Sequence, residues 1–159
     1  MNIKVQRKEL ASTKDALKNE WMRKQLNIEI KTVEGSRFID NVTKRKIKEY
    51  SLSSQNRRKF LMYCIRATLE NDYLLVTDLI KLVGVSRAAA ETMIKECEDA
   101  DWIKIKRGNS NRRRIQAADI TVETYADYCD WLWRLIYDSD MRSLSASINE
   151  IEKLEQTVS

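Results

Sequence analysis

The sequence contains no histidine, no proline and only three glycines in its 159 residues. The absence of histidine excludes catalytic triads with an imidazole base and metal sites with imidazole ligands. Because proline is absent and glycine occurs only at 35, 84 and 108, few positions interrupt the chain and mainly helical structure is expected. No glycine loop that could cradle phosphates is present. The sequence therefore predicts a protein that is not an enzyme and that carries no metal or cofactor.

Long apolar runs and close cysteine pairs are missing as well. No segment approaches the roughly 18 apolar residues of a membrane-spanning helix, and no apolar stretch typical of a secretory signal follows the N-terminus. The three cysteines, at 64, 97 and 129, are far apart in the sequence, which favours a reducing compartment over a disulfide framework. We therefore expect a soluble cytoplasmic protein without a membrane partner.

Charge is distributed unevenly, although the net charge of the whole chain is only +5. Residues 1–60 carry 16 basic and 7 acidic groups, residues 61–120 carry 10 and 9, and residues 121–159 carry 3 and 8. This distribution predicts a polyanionic partner for the basic part of the protein and a different partner for the acidic C-terminal end.

Helical periodicity is visible in both flanks of the chain. Residues 8–26 predict a basic helix, whereas residues 27–35 leave a continued helix and a short hairpin open. A helix over about 54–70, preceded by serines that can cap it, is expected to bury Leu61, Cys64, Ile65 and Leu69. Helices over 122–138 and from 141 onward carry consecutive apolar stripes, which packing against another chain would bury.

The stretch "VTDLIKLVGVSRAAAETMIKECEDADWIKI" at 76–105 is the most informative part of the sequence. Its spacing predicts a short helix over 77–83 with Thr77 as the cap. Gly84 ends this helix because glycine reaches positive φ without steric cost. Ser86 is expected to cap a second helix. The buried face of that helix is predicted to consist of Ala90, Met93, Ile94 and Cys97.

A strongly basic β-hairpin is predicted directly after these helices. Ile103 and Ile105 alternate with lysines, and Ile115 and Ala117 repeat the alternation on the return, which predicts two strands joined by a loop over about 107–112. The stretch 103–116 holds six positive side chains and no carboxylate. The alternation predicts Lys104, Lys106, Arg114 and Gln116 on one face and Arg107, Arg112 and Arg113 at the tip.

Two short helices around a glycine turn, followed by a basic hairpin, make a winged helix-turn-helix. Residues 72–120, with "DLIKLVGVSRAAAETMIKECEDADWI" and the arginines at 112–114, resemble the MarR-type transcriptional regulators. Three features depart from that family's pattern. Ile80 occupies a position that is usually small, Asp101 replaces a usual glycine, and Asn109 and Asn111 replace acidic residues of the wing.

The resemblance implies a mainly α (α+β) fold, in which long N- and C-terminal dimerisation helices flank a winged helix-turn-helix with a small β-hairpin wing. We expect a basic helical extension or arm over 1–50, the DNA-binding domain over 51–120 and dimerisation helices over 121–159. The implied protein is a homodimer that binds double-stranded DNA sequence-specifically and regulates transcription. Its recognition helix would enter the major groove, and its wing would touch the backbone or the minor groove.

Two groups of residues are predicted to contact DNA. Arg87 is expected to pair with guanine and Thr92 to meet a thymine methyl group, while Glu91 would either accept from cytosine or orient Arg87. The wing is expected to hold phosphates and to place Arg112 or Arg113 in the minor groove. The recognition-helix candidates are Ser86, Arg87, Ala88, Glu91, Thr92 and Lys95. The wing candidates are Lys104, Lys106, Arg107, Arg112, Arg113 and Arg114.

Several alternatives stay open at this point. The same fold serves replication or partition accessory proteins, and some winged helices bind protein instead of DNA. An effector of unknown identity would fit between the dimerisation helices and the DNA-binding part. The basic residues at 44–48 would form either a DNA-binding arm or a solvated helix face. Redox sensing is disfavoured because Cys64 and Cys97 are expected on apolar helix faces and Cys129 on an apolar stripe next to Asp130, whose charge would raise the thiol pKa.

Overall fold

In a computed structural model, which describes residues 2–35, 39–108, 110, 112–138 and 140–158, the described residues form seven helices and one two-stranded sheet. This mainly helical architecture with a small hairpin confirms the predicted fold class. None of the described helices is both long and apolar enough to cross a membrane. In chain order the elements are α1 (Ile3–Glu34), α2 (Val42–Ser53), α3 (Gln55–Leu69), α4 (Val76–Val83), α5 (Arg87–Asp99), β1 (Ile103–Arg107), β2 (Arg113–Ala117), α6 (Asp119–Asp138) and α7 (Met141–Val158).

The chain divides into two compact units. The first, called here the helical unit, comprises residues 1–35 and 129–159. The second, called the winged unit, comprises residues 36–128 and holds α2 to α5, the hairpin and the first part of α6.

Helix α1 is much longer than the predicted helix over 8–26. The side chain of Asn2 caps its start by accepting a hydrogen bond from the backbone N–H of Lys4 at 3.0 Å, and the helix runs for 32 residues. The open choice over 27–35 is resolved as a continued helix, since no proline or glycine lies between residues 3 and 34. Ile28 is buried whereas Ile30 is half exposed.

Antiparallel packing joins α1 to α7 in the helical unit. The guanidinium of Arg7 donates to the carbonyl of Val158, with Nε–O and Nη2–O distances of 3.0 and 2.6 Å. Closer to the other end, Lys14 pairs with Glu155 at 2.6 Å, and the indole N–H of Trp21 donates to the hydroxyl of Ser145 at 3.1 Å. Part of the acidic charge at the C-terminal end is therefore neutralised by the basic N-terminal helix of the same chain.

The winged unit surrounds a closed apolar core. Phe60, Leu79, Ile94 and Ile115 are its largest fully buried hydrophobic side chains, and they come from α3, α4, α5 and β2. A core built from all four elements fixes the hairpin against the three helices, because close-packed interiors leave little freedom for relative movement.

Helix α3 confirms three predicted core residues and corrects a fourth. Leu61, Cys64 and Ile65 are buried, but Leu69 is 62% exposed. The next inward position is taken by Thr68, whose hydroxyl accepts from the backbone N–H of Ala117 at 2.9 Å. Leu69 is the last residue of the helix, and its side chain does not belong to the buried face of α3.

The two helices of the helix-turn-helix are joined as predicted, except at the first cap. Gly84 has φ +77° and ends α4, and the hydroxyl of Ser86 accepts from the N–H of Ala89 at 3.1 Å at the start of α5. Thr77 is not the cap of α4. That helix begins one residue earlier, and the carboxylate of Asp78 accepts from the N–H of Leu75 at 2.9 Å instead.

The hairpin is antiparallel and its register places Ile105 opposite Ile115 and Lys106 opposite Arg114. The backbone of Ile115 also exchanges two hydrogen bonds with Leu74, at 2.8 and 2.9 Å. The single-residue bridge at Leu74 anchors the wing to the segment before α4, so the wing is held at its base on both edges of β2.

Candidate nucleic-acid interface

Helix α5 presents the predicted recognition residues on its outer side. Ser86, Arg87, Ala88, Thr92 and Lys95 are exposed, while the predicted buried set Ala90, Met93, Ile94 and Cys97 faces the core. The core thus holds one side of the helix and leaves the other free for a partner.

Two of these exposed residues have their polar groups partly engaged. The hydroxyl of Thr92 donates to the carbonyl of Ala88 at 3.0 Å, so Thr92 offers its methyl group and acceptor lone pairs to a partner. Lys95 lies 3.2 Å from Asp99, and both side chains are largely exposed. Such surface pairs contribute little because solvent screens them, so Lys95 stays available for a phosphate.

Glu91 does not orient Arg87 by a hydrogen bond among the described contacts. Its carboxylate pairs with the wing residue Arg113 through both oxygens, one Nη1–Oε2 contact measuring 2.8 Å and the other joining Nη2 to Oε1. Arg87 contributes a nearby positive charge. Hydrogen bonding by Arg113 is the main cause that lowers the pKa of Glu91, so the carboxylate is ionised at neutral pH.

The faces of the hairpin follow the predicted alternation. Lys104 lies opposite Gln116 and Lys106 opposite Arg114 across the strands, so these four side chains share a face. Arg107 and Arg113 are not at the tip, however. They pair with each other as the last rung of the ladder, because the strands continue past the final isoleucine pair.

The wing cations fall into two groups. Three are engaged within the chain: Arg113 by Glu91, Lys104 by Asp119 at 3.0 Å, and Arg114 by the ring of Tyr73, with 4.6 Å between the guanidinium carbon and the ring centroid. The other three are exposed and have no ion pair or hydrogen bond within the described part of the chain: Lys106, Arg107 and Arg112. The asparagines at 109 and 111, which replace acidic residues in the resemblance, lie outside the described residues.

Sequence reasoning missed the residues that hold the wing from outside. Tyr73 supplies a ring for Arg114, and the side-chain amide of Gln116 donates to the carbonyl of Asp72 at 2.6 Å. An isolated tyrosine before a helix carries no sequence signal for this role. Only the bridge between Leu74 and Ile115 brings that segment beside the wing.

A polar network supports the inner flank of α5. Glu96 accepts from the hydroxyl of Tyr50 at 2.7 Å and pairs with Arg57 at 3.1 Å. The guanidinium of Arg57 also lies 5.0 Å from the centroid of the Tyr50 ring. Trp102 makes an edge contact with Tyr50 at 5.3 Å between ring centroids. These contacts tie α5 to α2 and α3.

The basic residues after residue 43 are partly used within the winged unit. Lys44 pairs with Asp127 at 2.7 Å, and the guanidinium of Arg45 donates to the carbonyl of Ile39 at 2.6 and 3.2 Å. Lys46 is exposed. These contacts place the segment on helix α2, where Lys46 belongs to a solvated face.

The cysteines divide by burial. Burial raises the pKa of the Cys64 thiol above its ordinary value and that of Cys97 to about 12, so both are protonated and poorly reactive at neutral pH. Cys129 is exposed. Among the described residues no group of three cysteine or carboxylate side chains is arranged to hold a metal ion.

An open cavity of about 400 Å³ lies in the winged unit against the outer side of α3. Its walls are mostly apolar, and they include the charged side chains of Lys59 and Arg66. Arg66 is held over the ring of Tyr63, with 4.8 Å between the guanidinium carbon and the centroid.

Comparison with known proteins identifies the fold. No protein-family model and no curated protein sequence matches the chain. Among solved structures, MepR, a transcription regulator of the Staphylococcus aureus multidrug efflux pump MepA, is 17% identical, with a TM-score of 0.51 over 76% of this chain and 90% of MepR. The S. aureus MepR–DNA complex is 12% identical, with a TM-score of 0.53 over 86% and 98% of the two chains.

A MarR protein from Peptoclostridium difficile is also similar, at 19% identity and a TM-score of 0.42 over 83% of this chain and 90% of that one. At these identities the likeness is one of fold. The winged-helix fold predicted from the resemblance to MarR-type regulators is confirmed.

Proposed function

We propose that this protein is a regulator of transcription that binds double-stranded DNA sequence-specifically as a homodimer. The recognition helix α5 would enter the major groove, and the hairpin between β1 and β2 would contact the backbone or the minor groove. One observation carries the proposal: the outer side of α5 exposes Arg87 and the free end of the adjacent hairpin exposes three more cations, and none of these side chains has an ion pair or hydrogen bond among the described residues. Phosphates attract such cations whatever the base sequence.

The residues of α5 suit the reading of base edges. Arg87 is exposed at the first turn of the helix, and a guanidinium can pair with both major-groove acceptors of guanine. Thr92, in the second turn of the helix, offers a methyl group that would fit a thymine methyl. The similarity of fold to MepR, of which a DNA complex is known, supports the same use of this fold here.

The homodimer is supported by an exposed apolar stripe on α1. Met22, Leu26, Ile30 and Val33 follow at spacings of four, four and three residues, and each side chain is at least half exposed. Monomers seldom leave such a continuous apolar row in water. A second copy of the chain would bury it, and a two-fold dimer would present two recognition helices about one DNA turn apart.

Selection of bound sites from random double-stranded DNA tests the proposal. We expect an inverted repeat with half-sites about 10 base pairs apart between centres. Arg87→Ala and Thr92→Ala should each weaken binding to the selected site by about 1–3 kcal/mol while leaving binding to unrelated DNA nearly unchanged. Arg142→Ala on α7 removes an exposed charge of the same kind from the helical unit and serves as the matched control.

Two outcomes would count against the proposal. Recovery of no preferred sequence would reject sequence-specific binding. Absence of any DNA binding at low salt would favour the alternative of an acidic protein partner for the wing.

A further inference from the structure

The ion pair between Glu91 and Arg113 joins the recognition helix directly to the wing. Both carboxylate oxygens of Glu91 accept from both terminal nitrogens of Arg113, and about a third or less of each side chain is exposed. Two parallel hydrogen bonds fix the orientation of the guanidinium as well as its distance from the carboxylate, whereas a single hydrogen bond fixes only the distance. Among the described residues this is the only ion pair between α5 and the hairpin.

Two further arginines lie close to this pair, and the carboxylate of Glu98 also acts on Arg113. Arg113 lies directly opposite Arg107 across the strands, and like charges in that arrangement repel. Arg87 adds a further positive charge close to Glu91. The carboxylate therefore offsets repulsion within the wing, and its own pKa is lowered mainly by the hydrogen bonds from Arg113.

The pair also determines which groups are left for a polyanion. While Glu91 is paired with Arg113, the guanidinium of Arg113 does not bind a DNA phosphate. The carboxylate of Glu91 likewise does not accept a hydrogen bond from a base. Since both groups lie beside the exposed residues of α5, the pair lowers the general attraction to DNA at the place where bases would be read.

We propose that Glu91 is a positioning residue that sets sequence selectivity by acting through Arg113. The core and the bridge at Leu74 hold the base of the wing, and the pair of Glu91 with Arg113 links its outer rung to the recognition helix, so that α5 would meet the bases in one orientation. The same pair keeps Arg113 from a phosphate contact that carries no sequence information. This inference rests on the proposed function, because it assigns Glu91 a role in the selectivity of the same DNA-binding surface.

Glu91→Gln tests the inference while nearly preserving the shape of the side chain. With Arg113 released, binding to unrelated DNA should tighten, and the slope of log affinity against log salt should steepen by about 0.9 per protomer, the value of one phosphate contact. The ratio of affinities for selected and unrelated DNA should fall about tenfold, since the outer rung of the wing no longer fixes how α5 meets the bases. Glu49→Gln makes the same chemical change on an exposed position of α2 in the same unit and should alter neither quantity by as much.

Arg113→Gln separates this role from general damage to the fold. It leaves the carboxylate of Glu91 unpaired beside DNA, so it should weaken binding to all sequences, opposite to the effect of Glu91→Gln on unrelated DNA. In the Arg113→Gln background, Glu91→Gln should no longer lower the selectivity ratio, because the residue through which it acts is gone.

The outcomes separate this inference from the proposed function. Failure of the unaltered protein to select any site would reject the proposed function itself. If the unaltered protein selects a site but Glu91→Gln behaves like Glu49→Gln, only the role of Glu91 is overturned. Equal losses of selectivity from Glu91→Gln with and without Arg113 would likewise overturn it. Circular dichroism and thermal unfolding of each variant confirm that folded proteins are being compared.

Discussion

Apolar side chains are buried very differently in the two compact units. The winged unit encloses Phe60, Leu79 and Ile94 completely. In the described part of the helical unit, only Ile28 and Met141 are buried hydrophobic residues, while α1 carries its exposed stripe of Met22, Leu26, Ile30 and Val33. The difference indicates that the winged unit is stabilised by its own core, whereas the helical unit leaves a row of apolar side chains exposed, as the proposed dimer requires.

The largest expected effect breaks the closed core of the winged unit. Leu79→Ala should lower the free energy of unfolding by about 2–5 kcal/mol, because a fully buried leucine leaves a cavity when truncated. Urea unfolding followed by circular dichroism measures this loss, which should not depend on protein concentration. Thr77→Ala, an exposed change on the same helix, should cost well under half as much. A loss of less than 1 kcal/mol for Leu79→Ala would contradict a core formed by the unit alone.

The next effect concerns the exposed stripe of the helical unit. Leu26→Ala should raise the dissociation constant of the proposed dimer about tenfold or more, since burying a leucine side chain contributes about 1.5–3 kcal/mol. Sedimentation equilibrium over a range of concentrations measures it. Lys31→Ala, on nearly the opposite side of α1 by helical rotation, should leave the constant within about twofold. If the unaltered protein is monomeric at micromolar concentration, the proposed dimer and this prediction are both wrong.

Substitution of cations on the surface of the winged unit should have a smaller effect, on the salt dependence of DNA binding, and should not change the oligomeric state. Arg107→Gln and Arg112→Gln remove cations that have no described partner, so each should lower the salt slope of DNA binding by about 0.9 per protomer. Lys104→Gln removes a cation paired with Asp119. Because this exposed pair is weak, the slope should still fall, but by less than for the unpaired cations. Affinity measured across a salt series distinguishes the three variants. Equal slopes for all of them would show that pairing within the chain does not decide which wing cations meet DNA.

The smallest effect lies in the pH dependence of the winged unit. Hydrogen bonds from Tyr50, and next from Arg57, lower the pKa of Glu96. Because the pKa is lower in the folded state, the contribution of Glu96 is present above its unfolded value near 4.5 and is lost as pH falls through the lowered value. Tyr50→Phe should therefore cost about 1 kcal/mol at pH 7, and this cost should shrink below pH 4. Thermal unfolding of both proteins between pH 7 and pH 3 measures the cost of the substitution. A cost that does not change with pH would show that Tyr50 contributes through packing and not through its hydrogen bond to Glu96.

Much of the winged unit was predictable because its signals are local. Gly84 ends α4 and Ser86 caps α5 since both act on the backbone within a few residues, and alternation of isoleucine with charge locates the hairpin strands. Leu69 and Thr77 were placed wrongly for the opposite reason. Whether a residue at a helix end is buried, or caps it, depends on where the helix begins and ends, and two competing residues, Thr68 and Asp78, take those roles.

The candidate site shows the same limit. The exposed side of α5 followed from helical periodicity, and the shared face of Lys106 and Arg114 followed from alternation. The pairing of Glu91 with Arg113 did not, because the two residues are 22 positions apart and lie in different elements. The position of Arg113 in the last rung of the ladder, and not at the tip, depends on how far the strands pair beyond their last isoleucines.

The sequence alone determined the winged-helix core, the turn between its helices and the concentration of positive charge in the hairpin, since apolar spacing, glycine conformation and local charge are properties of short segments. Only the tertiary structure decided which of those charges are free. Lys104, Arg113 and Arg114 acquire partners from α6, α5 and the segment before α4, respectively, whereas Lys106, Arg107 and Arg112 acquire none among the described residues. The reason is that an ion pair or a ring contact requires two groups within a few ångströms, and packing alone sets that distance between residues remote in the chain.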